Sequence, residues 1–218
     1  MKIQWLGHSC FKLEESTGTT VVADPYDPSK VGIDLPKIKA DVVTISHNHS
    51  DHNCTDNIEG GFIKLNQVGL WEVNGVEVVS LQSYHDETDG DKRGENFIFK
   101  YRMDGVDLCH MGDIGEPSNP ILGESIGSVN VLMIPVGGTY TINAEQAKEY
   151  VDFLMPDVVI PMHFKTPSSE IDVDKIDDFL DLFEEDQLIR VDGDTFEFDR
   201  EFFDGESTKV IVFNADKF

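Results

Sequence analysis

The segment 41–52 reads DVVTISHNHSDH and joins a short apolar run to a cluster of histidines. Its first half is a short apolar run that is typical of a buried β-strand. Its second half places three of the chain's seven histidines within six residues, at His47, His49 and His52, together with Asp51. A strand that ends in such a loop brings imidazoles and a carboxylate to the rim of a sheet, where they can bind a divalent metal ion. A polar surface loop is the alternative, and the clustering argues against it.

Short strands separated by Gly, Asp and Asn turns are predicted on both sides of this segment, and we expect most of them to pair antiparallel. The predicted strands are Ile3–Trp5, Phe11–Glu14, Thr20–Ala23, Val42–Ile45, Gln67–Glu72, Val76–Ser80, Asn96–Tyr101, Asp107–His110, Val129–Ile134, Val158–Pro161, Leu188–Val191, Thr195–Phe198 and Lys209–Phe213.

Two amphipathic helices are predicted in the second half of the chain. Residues 143–154 carry apolar side chains at helical spacing, and Asn143 with Gln146 predicts a capping box at the start. Asp174–Glu185 shows the same periodicity. Helices of this kind must cover sheet faces, so the fold class is α/β, in the α+β sense. Because no linker or repeat interrupts the sequence, residues 1–218 are expected to form a single domain.

The composition describes a folded, acidic protein. Of 218 residues 39% are hydrophobic, and 42 Asp and Glu against 17 Lys and Arg give a formal net charge of -25. This charge repels phosphate backbones and anionic lipids, so it argues against long nucleic acids and membranes as partners. It indicates either a solvated acidic surface, which we favour, or adaptation to high salt. The sequence shows neither a signal-peptide pattern nor an apolar run long enough to span a bilayer, so we expect a cytoplasmic protein.

Three cysteines, Cys10, Cys54 and Cys109, form no CxxC pair. A disulfide framework and a thiolate zinc site are therefore both disfavoured, and the three are expected to be ordinary thiols.

The HxHxDH pattern of residues 47–52 resembles the metal-binding signature of the metallo-β-lactamase superfamily. Further segments resemble that superfamily in the same order along the chain, namely Gly7-His8-Ser9-Cys10-Phe11, Asp24-Pro25, Gly94-Glu95-Asn96, Gly112-Asp113, Pro135-Val136-Gly137-Gly138 and Ile160-Pro161-Met162-His163. The resemblance extends to about residue 167. It implies a four-layer αββα sandwich and the activity of a metal-dependent hydrolase. Within the superfamily the chain resembles small bacterial and archaeal hydrolases such as the ascorbate-6-phosphate lactonase group.

Carried over position by position, the resemblance assigns five imidazoles and two carboxylates to two metal ions. One ion is assigned to His47, His49 and His85, the other to Asp51, His52 and His163, and Asp113 bridges them. Such a pair lowers the pKa of a shared water to about 7, which gives a hydroxide at neutral pH. Asp51 would orient that hydroxide and carry its proton. Zinc is the default for these ligands, and Mn or Fe can occupy the same set.

Three residues are candidates for supporting the ligands. Asp24 is expected to accept a proton from a ligand imidazole, the alternative being a turn before Pro25. His8 and His110 are expected to be buried and hydrogen-bonded near the site, with direct ligation as the alternative.

Three more residues are candidates for the substrate pocket. Tyr140 follows a Gly-Gly pair, where it could face a ligand or only pack. Lys165 could attract a substrate phosphate or carboxylate, or be merely solvated. Arg93 allows the same two interpretations, and solvation is the one we favour.

The leading hypothesis is a hydrolase that opens a small ester or lactone, phosphorylated or not. A phosphodiesterase or ribonuclease on short substrates is the alternative enzyme, since the same metal pair stabilises displacement at phosphorus. Promiscuous β-lactam hydrolysis is a third hypothesis. A metal-binding module without catalysis is disfavoured, because all seven ligand positions are intact. The expected partner is a small molecule, and Phe202–Phe218 could pack on another subunit in a homo-oligomer.

Overall fold

The structure, a computed structural model, describes residues 1–198, 202–203, 205 and 207–218. The strands among them are, in chain order, β1 (Lys2–Trp5), β2 (Phe11–Glu14), β3 (Thr20–Ala23), β4 (Ile38–Lys39), β5 (Val42–Thr44), β6 (Ile58–Glu59), β7 (Ile63–Leu65), β8 (Gly69–Val73), β9 (Val76–Tyr84), β10 (Glu95–Met103), β11 (Val106–His110), β12 (Val131–Pro135), β13 (Val158–Met162), β14 (Leu188–Val191), β15 (Thr195–Glu197) and β16 (Lys209–Phe213). Each of the predicted strands is found, with ends that shift by a few residues.

The helices are α1 (Pro28–Val31), α2 (Pro120–Ile126), α3 (Ala144–Leu154) and α4 (Asp177–Leu180), and single 3-10 turns occur at Glu185–Gln187 and Ala215–Lys217. The helix predicted over residues 143–154 is confirmed as α3. Its capping box forms, since Gln146 N donates to Asn143 Oδ1 at 2.9 Å and Asn143 N donates to Gln146 Oε1 at 3.1 Å. Within the described part of the chain, none of these helices is long and apolar enough to cross a membrane.

The helix predicted over Asp174–Glu185 is wrong in its extent, because only Asp177–Leu180 is helical. Carboxylates four residues apart, such as Asp174 and Asp178, repel each other on a helix surface. The first turn also has no side-chain cap for its amide groups. Two buried apolar side chains in α4 retain a single turn against the core.

The strands form two large sheets and a small one. Six strands lie in the order β15-β1-β2-β3-β5-β7, eight in the order β14-β16-β13-β12-β11-β10-β9-β8, and β4 pairs with β6. The expectation of mostly antiparallel pairing is wrong. β3, β5 and β7 pair in parallel, and so do β11, β12, β13, β16 and β14. The cause is that crossover segments, such as the one that contains α3, return the chain to the same edge of the sheet before the next strand.

Alternating side chains of the six-stranded sheet face two different cores, as the pleat requires. Val21 and Val42 belong to the main core between the two large sheets, whereas their neighbours Val22 and Val43 belong to a second core. The second core also contains Val31 of α1, so α1 and the chain around it cover the outer face of this sheet. On the other side of the molecule α2 and α3 contact β9 and β12 of the eight-stranded sheet. The predicted four-layer αββα sandwich is therefore confirmed, with one outer layer that is mostly irregular.

The C-terminal aromatic residues pack within the chain itself. Phe213 is buried in the main core, and Phe202 and Phe203 are half-buried against it. The ring of Phe218 lies 4.7 Å from that of Trp5. The packing of Phe202–Phe218 on another subunit stays a prediction, and residues 204 and 206 of that segment lie outside the described residues.

Candidate metal centre

The residues of the predicted centre follow the carboxyl ends of strands. Asp24 comes directly after β3, His85 directly after β9 and His163 directly after β13. His47 and Asp113 follow β5 and β11 after short connections. Because β3 and β5 run parallel, and β11 and β13 belong to one parallel run, the carboxyl ends within each sheet meet at one edge. The topology thus brings distant parts of the sequence to one place.

One group of possible metal ligands consists of His47, His49 and His85. Their donor atoms all lie within 4.8 Å of one another. The ring of His47 is 4.6 Å from that of His49 and 4.7 Å from that of His85, measured between centroids. His47 and His85 are buried, whereas His49 is exposed. Three imidazoles in this arrangement suit one ion with a position left for a further ligand.

A second group consists of His8, Asp51, His52 and His163, whose donor atoms also lie within 4.8 Å of one another. Three of the four are the residues that the resemblance assigns to the second ion, and His8 is the addition. His8 Nε2 lies 3.5 Å from Asp51 Oδ2, and its ring centroid is 4.3 Å from that of His163. We expected His8 to be buried and hydrogen-bonded. It is buried, but its Nε2 has no hydrogen-bond partner among the described residues, so direct ligation stays open for it.

The carboxylate of Asp113 lies between the two groups. Its Oδ2 is 3.1 Å from Nε2 of both His52 and His163. The same oxygen is 3.5 Å from His85 Nε2 and 3.8 Å from His47 Nε2. One carboxylate oxygen therefore faces two imidazoles of each group, which is the position of a bridging ligand.

Buried polar atoms show whether a metal fits these residues. Nε2 of His8, His47 and His52 and Oδ1 of Asp113 are buried without a hydrogen-bond partner in the described part of the chain. An unpaired buried polar atom destabilises a protein by about 1–3 kcal/mol. A divalent cation accepts the lone pairs of imidazoles and carboxylates, so it would satisfy atoms that the fold leaves unpaired. The donor set fits a metal.

Asp24 orients one of the imidazoles from behind. Its Oδ2 lies 2.9 Å from His52 Nδ1, and its Oδ1 accepts a hydrogen bond from Ser46 N at 2.8 Å. Ser46 Oγ donates to Asp24 Oδ2 at 2.5 Å and lies 2.9 Å from His47 Nδ1. A carboxylate can only accept, so Nδ1 of His52 carries the proton and Nε2 points to the centre. Ser46 was not predicted to support the site, because a serine at the end of an apolar strand does not by itself indicate a contact with a metal ligand.

Asn96 positions the backbone of Asp113. Its Oδ1 accepts a hydrogen bond from Asp113 N at 2.9 Å, and its Nδ2 donates to Ser83 Oγ at 2.7 Å and to Met111 O at 2.9 Å. Gly112 has a φ of 58°, and a Cβ at this residue would lie 2.3 Å from Asn96 Oδ1. The sequence analysis noted Asn96 only as part of a resemblance. The role of Asn96 depends on the position of β10, which carries it, beside the loop that carries Asp113.

Replacing Gly112 with alanine is expected to lower the free energy of unfolding by about 2–4 kcal/mol, because a left-handed backbone and a steric clash add. Gly75→Ala is the matched control, since Gly75 has a φ of 91° and nothing within 4 Å of the added Cβ. Urea denaturation of both variants separates backbone strain from the clash. Equal losses in the two variants would contradict the role assigned to Gly112.

The electrostatics of the centre favour the protonation states that metal binding needs. Burial, together with nearby His163, lowers the pKa of His8 to about 4. Burial also holds the pKa of His47 well below its usual value. Burial opposes ionisation of Asp113, but the imidazoles of His163 and His52 outweigh it and keep the pKa of this carboxyl well below its usual range. The imidazoles of His8 and His47 are therefore neutral beside the ionised carboxylate of Asp113.

His52 differs from its neighbours. Burial lowers its pKa, but Asp113 and Asp24 outweigh burial and raise the pKa well above the usual value. The proton drawn onto Nε2 by Asp113 occupies the direction from which a metal ion would bind, so binding would release that proton.

Backbone strain is concentrated at the same place. His8, Asp24 and His163 have φ angles of 51°, 45° and 53°, in the left-handed region. Each such residue costs of order 1–3 kcal/mol unless its surroundings impose the conformation. The packing of the strand ends therefore holds these side chains in directions that the backbone alone would not choose.

A cavity of about 580 Å³ opens at the centre, and Asp51, Asp113 and His163 line it. Tyr140, which is 39% exposed, lines the same cavity. Lys165 is not among the residues that line it, because its Nζ donates to Ser169 O at 2.7 Å and to Ile171 O at 2.9 Å. The ammonium group of Lys165, for which substrate attraction and simple solvation were the two interpretations, binds two carbonyl groups of the chain after β13.

His110 is buried and hydrogen-bonded through both ring nitrogens. Nε2 lies 2.8 Å from Ser9 O, and Nδ1 accepts a hydrogen bond from Gly112 N at 3.1 Å. Neither nitrogen is left for a metal, so His110 supports the loop before Asp113.

Comparison with known proteins gives the same picture. Residues 2–163 match a family described as beta-lactamase superfamily domain. A UPF0173 metal-dependent hydrolase from Methanoculleus marisnigri is 30% identical over 189 residues, which cover 76% of this chain and 82% of that protein. The crystal structure of a proposed Zn-dependent hydrolase of the metallo-β-lactamase superfamily from Thermotoga maritima is 39% identical, with a TM-score of 0.80 and 97% of each chain covered. A metallo hydrolase from Ignicoccus hospitalis shares the fold, with a TM-score of 0.66 at 22% identity, over 91% of this chain and 99% of the other.

Proposed function

The chain belongs to the metallo-β-lactamase superfamily and is a metal-dependent hydrolase, and on that premise we propose that it opens a small ester or lactone with the help of two divalent ions. The cavity of about 580 Å³ at the centre has the volume of a small-molecule site. A net charge of -25 repels long polyanions. A small molecule is the substrate that agrees with both features.

The observation that carries the proposal is the position of Asp113. Its Oδ2 lies 3.1 to 3.8 Å from Nε2 of four histidines that belong to two separate groups of ligands. A single ion would need only one of these groups. Two groups that share one carboxylate support a pair of ions.

In the proposed centre His47, His49 and His85 would hold one ion, Asp51, His52 and His163 would hold the other, and Asp113 would be shared between them. Two bound ions supply a hydroxide at neutral pH and polarise the oxygen of the group under attack. Zinc suits these nitrogen and oxygen donors, as do manganese and iron.

Asp51 is the residue of the chain best placed to handle the proton. It lines the cavity and is 24% exposed, whereas Asp113 is 2% exposed. Burial raises the pKa of Asp51, but the nearby imidazoles of His8 and His52 together outweigh burial, so the net shift of the pKa is downward and the carboxylate is ionised. An ionised carboxylate at the cavity wall can orient the attacking water and pass its proton to the leaving oxygen.

A substrate panel tests the proposed reaction. The purified protein is loaded with zinc and assayed with a lactone, an aryl ester, bis-p-nitrophenyl phosphate and a chromogenic β-lactam. We expect kcat/KM for the lactone or the ester to exceed that for the other two by at least about tenfold. Faster cleavage of the phosphodiester would favour a phosphodiesterase, and two bound ions without turnover of any compound would favour a binding module.

A further inference from the structure

Arg93 lies beside the metal centre, where the sequence analysis favoured a merely solvated side chain. It lines the cavity of about 580 Å³ together with His49 and Asp113. It also lines a smaller cavity of about 190 Å³, which shares His49 with the first. Arg93 is half-buried. Its guanidinium is therefore close to the place where a substrate must sit.

Most of the hydrogen-bond donors of this guanidinium are unused. Nη2 donates to Thr139 O at 3.1 Å, and Cζ lies 5.6 Å from the centroid of the Tyr140 ring. Among the described residues no carboxylate lies within 4.0 Å of Arg93, whereas Arg102 pairs with Asp107 and Arg190 with Glu185. Four of its five N–H groups have no acceptor among the residues that the structure describes.

The loop that carries Arg93 is organised by one buried carboxylate. Asp86 accepts hydrogen bonds from the backbone N–H groups of Thr88, Gly90, Lys92 and Arg93, at 2.8, 3.0, 2.9 and 2.7 Å. Asp86 directly follows His85, and His85 N donates to Gly94 O at 3.0 Å, which closes the loop. The position of Arg93 is thus fixed relative to a proposed metal ligand. Such preorganisation lowers the entropy cost of binding a ligand.

Apart from Arg93 and the proposed metal ligands, the charged residues of the cavity form a second set. Lys30, Glu170 and Asp172 line it, and their two segments are joined by the hydrogen bond from Glu170 N to Val31 O at 2.9 Å. One ammonium against two carboxylates leaves this set net negative. An anionic substrate group is repelled there and attracted to the guanidinium of Arg93.

We propose that Arg93 binds an oxyanion of the substrate, so that the substrates are small esters or lactones that carry a carboxylate or phosphate group besides the bond to be cleaved. The inference rests on the proposed function and adds the charge class of the substrate to it. A planar guanidinium binds two oxygens of a carboxylate or phosphate at once, which fixes orientation as well as charge. Arg93 is a specificity residue in this account, and it takes no part in the bond cleavage.

The test compares matched substrates in zinc-loaded protein. One pair is 4-nitrophenyl acetate and mono-4-nitrophenyl glutarate, and the other is gluconolactone and its 6-phosphate. For each pair the ratio of kcat/KM, anionic over neutral, is measured in the wild type, Arg93→Gln, Arg93→Lys and the control Arg102→Gln. We expect Arg93→Gln to lower the ratio about 10- to 100-fold, Arg93→Lys to restore part of it, and Arg102→Gln to leave it unchanged. The pair that responds identifies carboxylate or phosphate.

Binding is measured separately from turnover, so that the two proposals can fail independently. Calorimetric titration with acetate and with succinate, glutarate and adipate shows whether a second carboxylate adds affinity through Arg93. Arg93-dependent binding of a dicarboxylate without any ester or lactone turnover would retain the anion site and reject the proposed reaction. Turnover with an unchanged ratio in Arg93→Gln would overturn the anion site alone. The anion site is likewise overturned if no dicarboxylate binds better than acetate and the ratio for the phosphate pair is unchanged in Arg93→Gln.

Discussion

Replacing Asp113 with alanine is expected to lower hydrolysis by roughly four orders of magnitude or more and to reduce the metal content from two ions to one or none per chain. The reason is geometric. One oxygen of Asp113 faces imidazoles of both ligand groups, with distances of 3.1 Å to His52 and 3.5 Å to His85. No other carboxylate among the described residues holds that position. Metal analysis after gel filtration and a rate assay with the best substrate of the panel measure both effects.

Two further variants show whether the loss is specific. Asp113→Asn keeps the size of the side chain and removes its charge, so metal content is expected to fall while the fold remains. Asp107 lies in β11 and pairs with Arg102 at the surface, so Asp107→Ala is expected to keep both ions and the rate of hydrolysis. Retention of two ions and a rate within tenfold of wild type in Asp113→Ala would show that this carboxylate does not bridge.

Replacing Asp51 with alanine is expected to slow hydrolysis by about 10²- to 10⁴-fold and to weaken one metal ion more than the other. Asp51 belongs to the group with His52 and His163, and its Oδ2 lies 3.7 Å from His52 Nε2. The three imidazoles of the other group are untouched by the change. Competition with a chromogenic chelator should therefore give one dissociation constant near the wild-type value and one that is raised.

The control for Asp51 lies in the same loop. Asp56 is exposed and does not line the cavity, so Asp56→Ala is expected to keep the rate and both affinities. Unchanged turnover in Asp51→Ala, or equal weakening of both ions, would count against the role assigned to Asp51.

The sequence predicted the parts of this molecule that depend on local pattern. Alternating apolar residues located the strands, and Asn143 with Gln146 predicted the start of α3. The histidines at the end of β5 located the centre, because strand ends deliver consecutive ligands to one rim. Asp27 and Asn119 act as N-caps of α1 and α2, and each is followed by a proline at the first helical position. These Asp-Pro and Asn-Pro pairs are typical of helix starts, but neither helix was predicted.

What the sequence did not reveal depends on contacts between distant segments. Lys165 and Arg93 are two isolated cations in the sequence. The ammonium group of Lys165 donates to carbonyl groups of its own loop, whereas Asp86 fixes the backbone of Arg93 beside the cavity. Asn96 and Ser46 acquire roles only through the sheet neighbours that place them behind Asp113 and His52. Sequence spacing carries no information about such contacts.

The most direct test of the dinuclear centre is a crystal structure of the zinc-loaded protein with anomalous diffraction recorded on both sides of the zinc edge. The account predicts two peaks about 3.5–4 Å apart, one at His47, His49 and His85 and the other at Asp51, His52 and His163. A single peak at full occupancy in excess zinc, or zinc bound away from Asp113, would contradict it.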